Sequence, residues 1–136
     1  MDCIFCKIIR GEIPGYVLYE DDNLMAILDI SQSTKGHTLI LSKAHIPNLY
    51  GLDSEQAAAI FAKVPLIANA IKQAFHPIGL NMLVNVDQPL QSVFHFHIHL
   101  IPRYADDTIV MTFENNFGKI KQETFQEIAS RIKHYL

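Results

Sequence analysis

The segment that most constrains this chain is Phe-His-Phe-His-Ile-His-Leu at residues 94–100, in which apolar residues and histidines alternate without exception. Successive side chains of a β-strand point to opposite faces, so His95, His97 and His99 share one face at steps of about 6.6 Å. A helix would spread the three imidazoles over roughly 200°. The pattern therefore predicts a strand over 94–101 whose apolar residues, Phe94 included, face the core.

Three histidines on one face indicate a functional site rather than a structural one. A single histidine on a sheet is usually a satisfied structural residue, but three side by side cost stability unless they share a purpose. Two chemistries stay open at this point, because an H-x-H pair on a strand can hold zinc and a histidine can also act as a nucleophile.

The residues before the histidines favour phosphate chemistry. Asn85, Gln91 and Ser92 are neutral hydrogen-bonding residues suited to phosphate oxygens and to a leaving group. A hydrolytic zinc centre more naturally has a carboxylate base nearby, and Asp87 is the one close acid. Taken singly, these polar residues are typical of ordinary turns. They indicate a phosphate site only because they lie close to the three histidines in the sequence.

Composition predicts a single globular domain over residues 1–136. Hydrophobic residues are 49% and charged residues 18% of the 136, which excludes intrinsic disorder. The net charge of -3 without a cluster of lysine or arginine excludes a general nucleic-acid surface. No apolar run approaches the roughly 20 residues of a membrane span, and no signal-peptide pattern is present, so a cytoplasmic protein is expected.

The two cysteines, Cys3 and Cys6, form a C-x-x-C pair at the N-terminus. One pair cannot be the disulfide framework of a domain this size. A thioredoxin-like redox motif belongs after a strand in a βαβ unit, which this position does not fit. Metal binding is the better interpretation if two further ligands lie elsewhere in the chain.

The periodicity of apolar residues predicts an antiparallel α+β domain of five strands and one long helix. The long helix spans 54–75 behind a capping box formed by Asp53 and Gln56, and Pro65 should kink it. A short helix or turn at 3–10 precedes the sheet and an amphipathic helix at 121–136 closes the chain. The predicted strands are 17–20, 24–30, 37–42, 80–86 and 94–101.

The segment QSVFHFHIHLIPR resembles the signature of the histidine triad (HIT) family, in which three histidines alternate with apolar residues. The resemblance extends in order through CIFCKIIRGEIP, YEDDNLMAILDIS and KGHTLILSKAHI, and is strongest to small bacterial proteins of the Hint-like branch. It implies the HIT-like fold with a five-stranded antiparallel sheet, a homodimer, and binding of purine nucleotides.

The resemblance also implies catalytic roles. His97 matches the family's nucleophile, which attacks the α-phosphorus of a nucleoside phosphoramidate or related nucleotide and forms a nucleotidyl-histidine that water hydrolyses. His99 matches the third triad histidine, and Ser92 matches the serine that assists the leaving group. The nucleophile must be a neutral imidazole with one nitrogen held by an acceptor, either a neighbouring backbone carbonyl or His99.

Nucleotide-binding residues are carried over in the same way. Asn85 and Gln91 match polar positions of the phosphate pocket, and Asp29 matches the acid that holds the ribose hydroxyls. A carboxylate can accept two hydrogen bonds from a diol, although a turn cap at the end of a strand explains Asp29 equally well from the residues alone. His37 matches a further histidine position behind the triad.

Some bacterial HIT proteins, like the related galactose-1-phosphate uridylyltransferases, use the first triad histidine as a metal ligand. The corresponding set here is Cys3, Cys6, His45 and His95, which would complete a closed tetrahedral site for structural Zn²⁺. The alternative is two inert buried thiols, with His45 in a surface turn and His95 on the phosphate.

The leaving group stays open. The order Gln91-Ser92 before the triad resembles the Hint-like pattern, with a dinucleoside polyphosphate hydrolase as the alternative. A nucleotide-binding interaction module with incidental hydrolysis is a third possibility. The chain also carries a C-terminal extension, about 106–136, beyond the point where eukaryotic Hint proteins stop.

Overall fold

A computed structural model describes residues 3–136 and shows the predicted α+β architecture. One antiparallel sheet of five strands has the order β1-β2-β3-β5-β4. Within the described residues no helix is both long and apolar enough to cross a bilayer. The strands are β1 Val17–Glu20, β2 Leu24–Leu28, β3 Thr38–Ser42, β4 Gly79–Leu83 and β5 His97–Arg103; the helices are α1 Ile4–Ile9, α2 Ser54–Phe61, α3 Val64–Phe75 and α4 Gln122–Lys133.

The alternation of side chains divides the sheet into two buried faces. Phe96, Ile98 and Leu100 lie on the face covered by α2 and α3, in a core that includes Ile60 and Ile67. The opposite face is smaller and holds Leu39 and Leu41 of β3 together with Phe5 of α1. Because Leu41 pairs with His97 and Leu39 with His99, the triad lies on this second face, under α1.

The triad strand begins later than the alternation predicts. Regular β5 starts at His97, and residues 92–95 form a bend, so the expectation that Phe94 faces the core is wrong. Phe94 is 39% exposed. The backbone still approaches β3 before the strand, since the Ser42 N–H donates to the Phe96 carbonyl (3.2 Å), and this holds the bend against the sheet.

The long helix predicted over 54–75 is two helices rather than one kinked helix. The chain turns at 62–63, and Pro65 lies in the first turn of α3. Proline has no N–H to bond the Phe61 carbonyl, but its fixed φ suits the start of a helix, so the break is favoured over a kink. The predicted capping box of Asp53 and Gln56 is present at the start of α2.

Candidate active site

His97 lies at the first position of β5 with its two ring nitrogens in different environments. Nδ1 donates a 2.6 Å hydrogen bond to the backbone carbonyl of His95. The neutral ring therefore keeps a lone pair on Nε2. Burial lowers the pKa of His97, and this outweighs the hydrogen bond to His95 and the charge of Asp29, which favour protonation. The result is a buried, neutral imidazole with a fixed tautomer, as a nitrogen nucleophile requires.

His99 is held by His37, which reaches it from the start of β3. The backbone N–H of Ser33 donates to Nδ1 of His37 (3.3 Å), so a neutral His37 carries its proton on Nε2. That nitrogen lies 3.0 Å from Nδ1 of His99 and donates to it. His99 must then carry its own proton on Nε2. The chain of hydrogen bonds thus gives the site a neutral histidine that presents a donor.

Asp29 follows β2 and faces the same histidine pair. Its Oδ1 accepts hydrogen bonds from the backbone N–H and the hydroxyl of Ser31, at 2.8 and 2.7 Å. Its Oδ2 lies 3.5 Å from Nε2 of His37. Burial alone would raise the pKa of Asp29, but the bonds from Ser31 and the nearby histidines outweigh it and lower that pKa. Asp29 is thus an ionised carboxylate that both caps a turn and adjoins the triad.

The loop before the triad is organised around Gln91. This side chain is buried, and its amide nitrogen donates to the carbonyls of Pro47 (2.6 Å) and Val93 (3.0 Å). Its oxygen accepts from the Asp87 N–H (3.0 Å). All the bonds shown for Gln91 go to backbone and hold the loop that carries Ser92, and its assignment to the phosphate stays a prediction.

The other two polar residues of the predicted phosphate pocket lie in loops. Ser92 is exposed, and its hydroxyl makes no hydrogen bond to any residue in 3–136. Asn85 lies two residues beyond the end of β4, so the strand predicted over 80–86 is shorter than expected. Their assignment to a substrate stays a prediction, and both are available to a ligand.

Cys3, Cys6, His45 and His95 form one cluster, with all four potential ligand atoms within 4.8 Å of one another. Nδ1 of His95 lies 3.4 Å from Sγ of Cys3, 3.5 Å from Sγ of Cys6 and 3.2 Å from Nδ1 of His45. Metal–ligand bonds of about 2.0–2.3 Å separate tetrahedral ligands by roughly 3.3–3.8 Å. The distances from His95 to the other three residues therefore match those of a four-coordinate metal centre.

The hydrogen bonds of His95 favour the metal interpretation over an ordinary polar cluster. Nε2 donates to the Ser42 carbonyl at 2.6 Å, which leaves Nδ1 with a lone pair directed at the two thiols and His45. A backbone partner on the far nitrogen is how ligating histidines are usually oriented. Burial, followed by the neighbouring Cys3, raises the pKa of Cys6, so a cation is what would stabilise the thiolate.

A second group of potential ligands, Asp29, His37 and His99, fits metal poorly. Ligation through Nε2 of His37 would move its proton to Nδ1, which faces the Ser33 N–H, and two donors would then oppose each other. The two groups are therefore different in kind: one is suited to a metal ion and the other is a hydrogen-bonded chain. Sequence reasoning missed Ser33 and Ser42 because both act through backbone atoms.

The histidines should make stability depend on pH. Burial, then repulsion from His97 and His37, lowers the pKa of His99 to about 4, against about 6.5 in an unfolded chain. Between these values the unfolded state binds more protons, so the free energy of unfolding should fall as the pH falls from 6.5 to 4. Denaturant unfolding at several pH values in this range should show that the free energy of unfolding falls less steeply for His99→Gln than for the wild type. Parallel curves would show that His99 does not contribute.

The fold and the histidine pattern define a class, an antiparallel α+β domain with a histidine triad on one sheet face. The HIT domain family model matches residues 10–106. The chain belongs to the histidine triad family, as its sequence motifs predict.

Two relatives match over much of the chain. "Protein hit" of Bacillus subtilis is 49% identical over 133 residues, which cover 96% of this chain and 92% of that protein. "Adenylylsulfatase HINT3" of Arabidopsis thaliana is 48% identical over 109 residues, covering 79% of this chain and 55% of that one. The similarity to the Hint-like branch is therefore confirmed.

Solved structures confirm the fold. A HIT family member from Bacillus subtilis has a TM-score of 0.97 at 48% identity and covers 100% of this chain and 98% of its own. A HIT family protein from Bacillus anthracis has a TM-score of 0.95 at 47% identity, and the match covers 99% of this chain and 97% of that protein. A histidine triad nucleotide-binding protein from Candida albicans has a TM-score of 0.84 at 27% identity, and the match covers 98% of this chain and 96% of that protein.

Proposed function

We propose that the protein is a purine nucleotide hydrolase acting at the α-phosphate of nucleoside phosphoramidates or related nucleotides. The observation that carries the proposal is the state of His97, which is buried and neutral, with Nδ1 bonded to the His95 carbonyl and a lone pair on Nε2. Membership of the HIT family, with a relative named as an adenylylsulfatase and a neighbour named as nucleotide-binding, supports the substrate class.

The reaction takes place in two displacements. Nε2 of His97 attacks the α-phosphorus, the phosphorus–nitrogen bond to the leaving amine breaks, and the amine nitrogen takes up a proton from solvent by way of the Ser92 hydroxyl. Water then attacks the nucleotidyl-histidine and gives up a proton to solvent, which releases the nucleoside monophosphate and restores the neutral imidazole. We assign Ser92 to the departing group and His99 to the phosphate oxygens, because the Nε2 proton of His99 makes it a donor.

The remaining residues bind and orient the nucleotide. Asp29 is ionised and accepts hydrogen bonds, which suits the two hydroxyls of a ribose. Asn85 supplies a neutral amide for the phosphate. Gln91 contributes by fixing the loop that carries Ser92, since its own amide is bonded to backbone.

We also propose that the Cys/His cluster binds structural Zn²⁺. Four protein ligands leave no open position for substrate or water, so the ion would stabilise the fold rather than take part in the reaction. His95 links the two sites, because its ring is in the cluster and its carbonyl holds His97. The ion would thus fix the N-terminal helix and the nucleophile at once.

A substrate panel tests the proposed reaction. We expect rapid release of AMP from adenosine phosphoramidate, with adenosine phosphosulfate and diadenosine polyphosphates as comparison substrates for the two other leaving-group classes. Faster turnover of the diadenosine compounds would favour the polyphosphate hydrolase. AMP binding with negligible turnover of every substrate would contradict the enzyme proposal and favour an interaction module.

A twofold homodimer is the proposed assembly. The edge strand β4 pairs only with β5 among the described strands and exposes Leu80, Met82 and Leu83, a surface that a second copy would cover. Light scattering at micromolar concentration should give about twice 15.4 kDa. A stable and active monomer would contradict the assembly.

A further inference from the structure

No residue of the C-terminal arm, residues 110–136, is buried against the described part of the chain, residues 3–136. Every one of these residues is exposed. The arm ends in α4, which carries Phe125, Ile128 and Ile132 at helical spacing on one face, and these side chains are 47–60% exposed. Its charged residues, such as Glu123 and Glu127, lie on the other face. The arm thus offers an amphipathic helix without a partner on the chain that bears it.

Something outside the chain must hold this arm in place. A helix of 12 residues is marginal in water unless its apolar face is packed. The arm is about a fifth of the chain, yet the Bacillus subtilis structure superposes on the whole chain with a TM-score of 0.97. If a fifth of the chain lay elsewhere in that protein, the TM-score would be well below this value, so the arm has the same position there. Its projecting position is therefore a property that the two proteins share.

The domain itself has an apolar groove of about 570 Å³ between α3 and the β1 side of the sheet. Its walls include Leu18, Leu28, Leu66, Ala70 and Phe75. Leu66 is 55% and Leu18 51% exposed, so the groove is uncovered in the single chain. A groove of apolar side chains and a helix with one apolar face are complementary in chemistry.

The arm leaves the domain close to this groove but does not enter it. The Tyr104 hydroxyl, just before the arm, donates to the Lys35 carbonyl at 2.6 Å, and the Lys35 ammonium lies 5.1 Å above the ring of Phe75. Phe75 is one wall of the groove. None of residues 110–136 is among the walls of this groove, so the arm's position favours a groove on another molecule.

We propose that the partner is a second copy of this chain, and that two copies exchange their arms so that each α4 lies in the other's groove. An exchanged pair is closed and symmetric, which leaves no unpaired arm or groove. Each copy would contribute the 12 residues of α4 and the 11 residues that line its groove, which is within the roughly 20–30 residues per side of a stable interface. The inference rests on the homodimer proposed above and is independent of the chemistry assigned to His97.

Amide hydrogen exchange of α4 tests the docking in the full-length protein. We expect the α4 amides to exchange roughly 100-fold more slowly than in an unstructured peptide, and Leu66→Asp to remove most of this protection by placing a charge in the groove. Ile128→Asp should have the same effect from the side of the arm. Asn69→Asp on α3 and Ser130→Asp on α4, both outside the contact, should leave the protection unchanged.

A mixed dimer shows whether the contact is made between chains. In a dimer of one Leu66→Asp chain with one Ile128→Asp chain, only exchange between chains pairs an intact arm with an intact groove. The two α4 peptides differ in mass, so each is read separately, and we expect the Leu66→Asp chain's α4 to regain protection. Failure to regain it, or unprotected α4 in the wild type, would overturn the exchange. Light scattering of the same samples reports separately whether the dimer exists.

Discussion

Replacing His97 with alanine should lower kcat/KM for adenosine phosphoramidate by roughly four to six orders of magnitude. His97 supplies the lone pair that forms the bond to phosphorus. The His95 carbonyl fixes its tautomer, and no other described side chain shares that hydrogen bond. In the variant, the remaining reaction would be the slow direct attack of water on the α-phosphorus. The loss should fall on kcat, since the ribose and phosphate contacts assigned to Asp29 and Asn85 do not involve the imidazole.

Three measurements separate this result from simple unfolding. Thermal melting should show a folded His97→Ala protein, and calorimetry should show that it still binds AMP. Rapid quenching followed by intact-mass analysis should detect a nucleotidyl adduct on the wild type and none on the variant. His76→Asn is the matched control, because asparagine accepts the left-handed backbone of residue 76 (φ 49°) and no side-chain contact joins His76 to His37, His97 or His99 in the described residues. Near-normal turnover by His97→Ala would refute the assignment.

The faces of the triad strand are predictable because side chains of any strand alternate with a period of two. That geometry places Phe96 and Ile98 in the core and His97 and His99 opposite them. The point where the strand begins is less predictable, since it depends on where β3 ends. Phe94 satisfies the alternation but lies in a bend beyond the pairing, which is why it is exposed.

The break between α2 and α3 shows a limit of periodicity. Ile60, Val64, Ile67 and Ile71 keep the helical spacing across the break, and all four are buried in the same core. A turn that preserves the apolar face leaves no trace in the pattern. Pro65 is the remaining signal, and proline is compatible both with a kink and with the first turn of a new helix.

The site depends on contacts between residues that are distant in the chain. His37 and His99 are 62 residues apart and meet because β3 pairs with β5. The tautomer of His99 depends in turn on a backbone N–H of a loop, which residue identity does not reveal. The backbone partners of Gln91, the Pro47 and Val93 carbonyls, show the same limit, because residue identity does not reveal them either. The motif indicates which side chains matter, while the fold determines which of their atoms are free.

The residues of the Cys/His cluster lie even farther apart in the chain, since Cys3 and His95 are separated by 92 positions. The C-x-x-C pair suggested two ligands, and the family resemblance supplied the other two. The structure brings all four together on the triad face of the sheet, where α1 packs through Phe5 at 5.0 Å from the ring of His97. Loss of the ion should therefore affect the attachment of α1 more than the reaction.

The double variant Cys3→Ser, Cys6→Ser should remove about one zinc per chain and lower the melting temperature by more than about 10 °C. Structural zinc binds zinc-finger peptides with about 10–16 kcal/mol. A loss of only about 3 kcal/mol already shifts the melting temperature of a domain this size by roughly 10 °C. Metal analysis of protein purified without chelator and calorimetric melting are the measurements. Wild-type protein from which a chelator has removed the metal is the control, and it should have the same melting temperature as the double variant.

Turnover should fall far less than in His97→Ala, by about tenfold, because the cysteines act on the reaction only through His95. The ring of His95 would lose a metal bond, but its carbonyl would still accept the Nδ1 proton of His97 and keep the reactive lone pair in place. Acid should release the ion, since the cysteines must be thiolates and the histidines neutral to bind it. Full zinc loading of the double variant, or a wild type purified without metal, would show that these four residues form no metal centre.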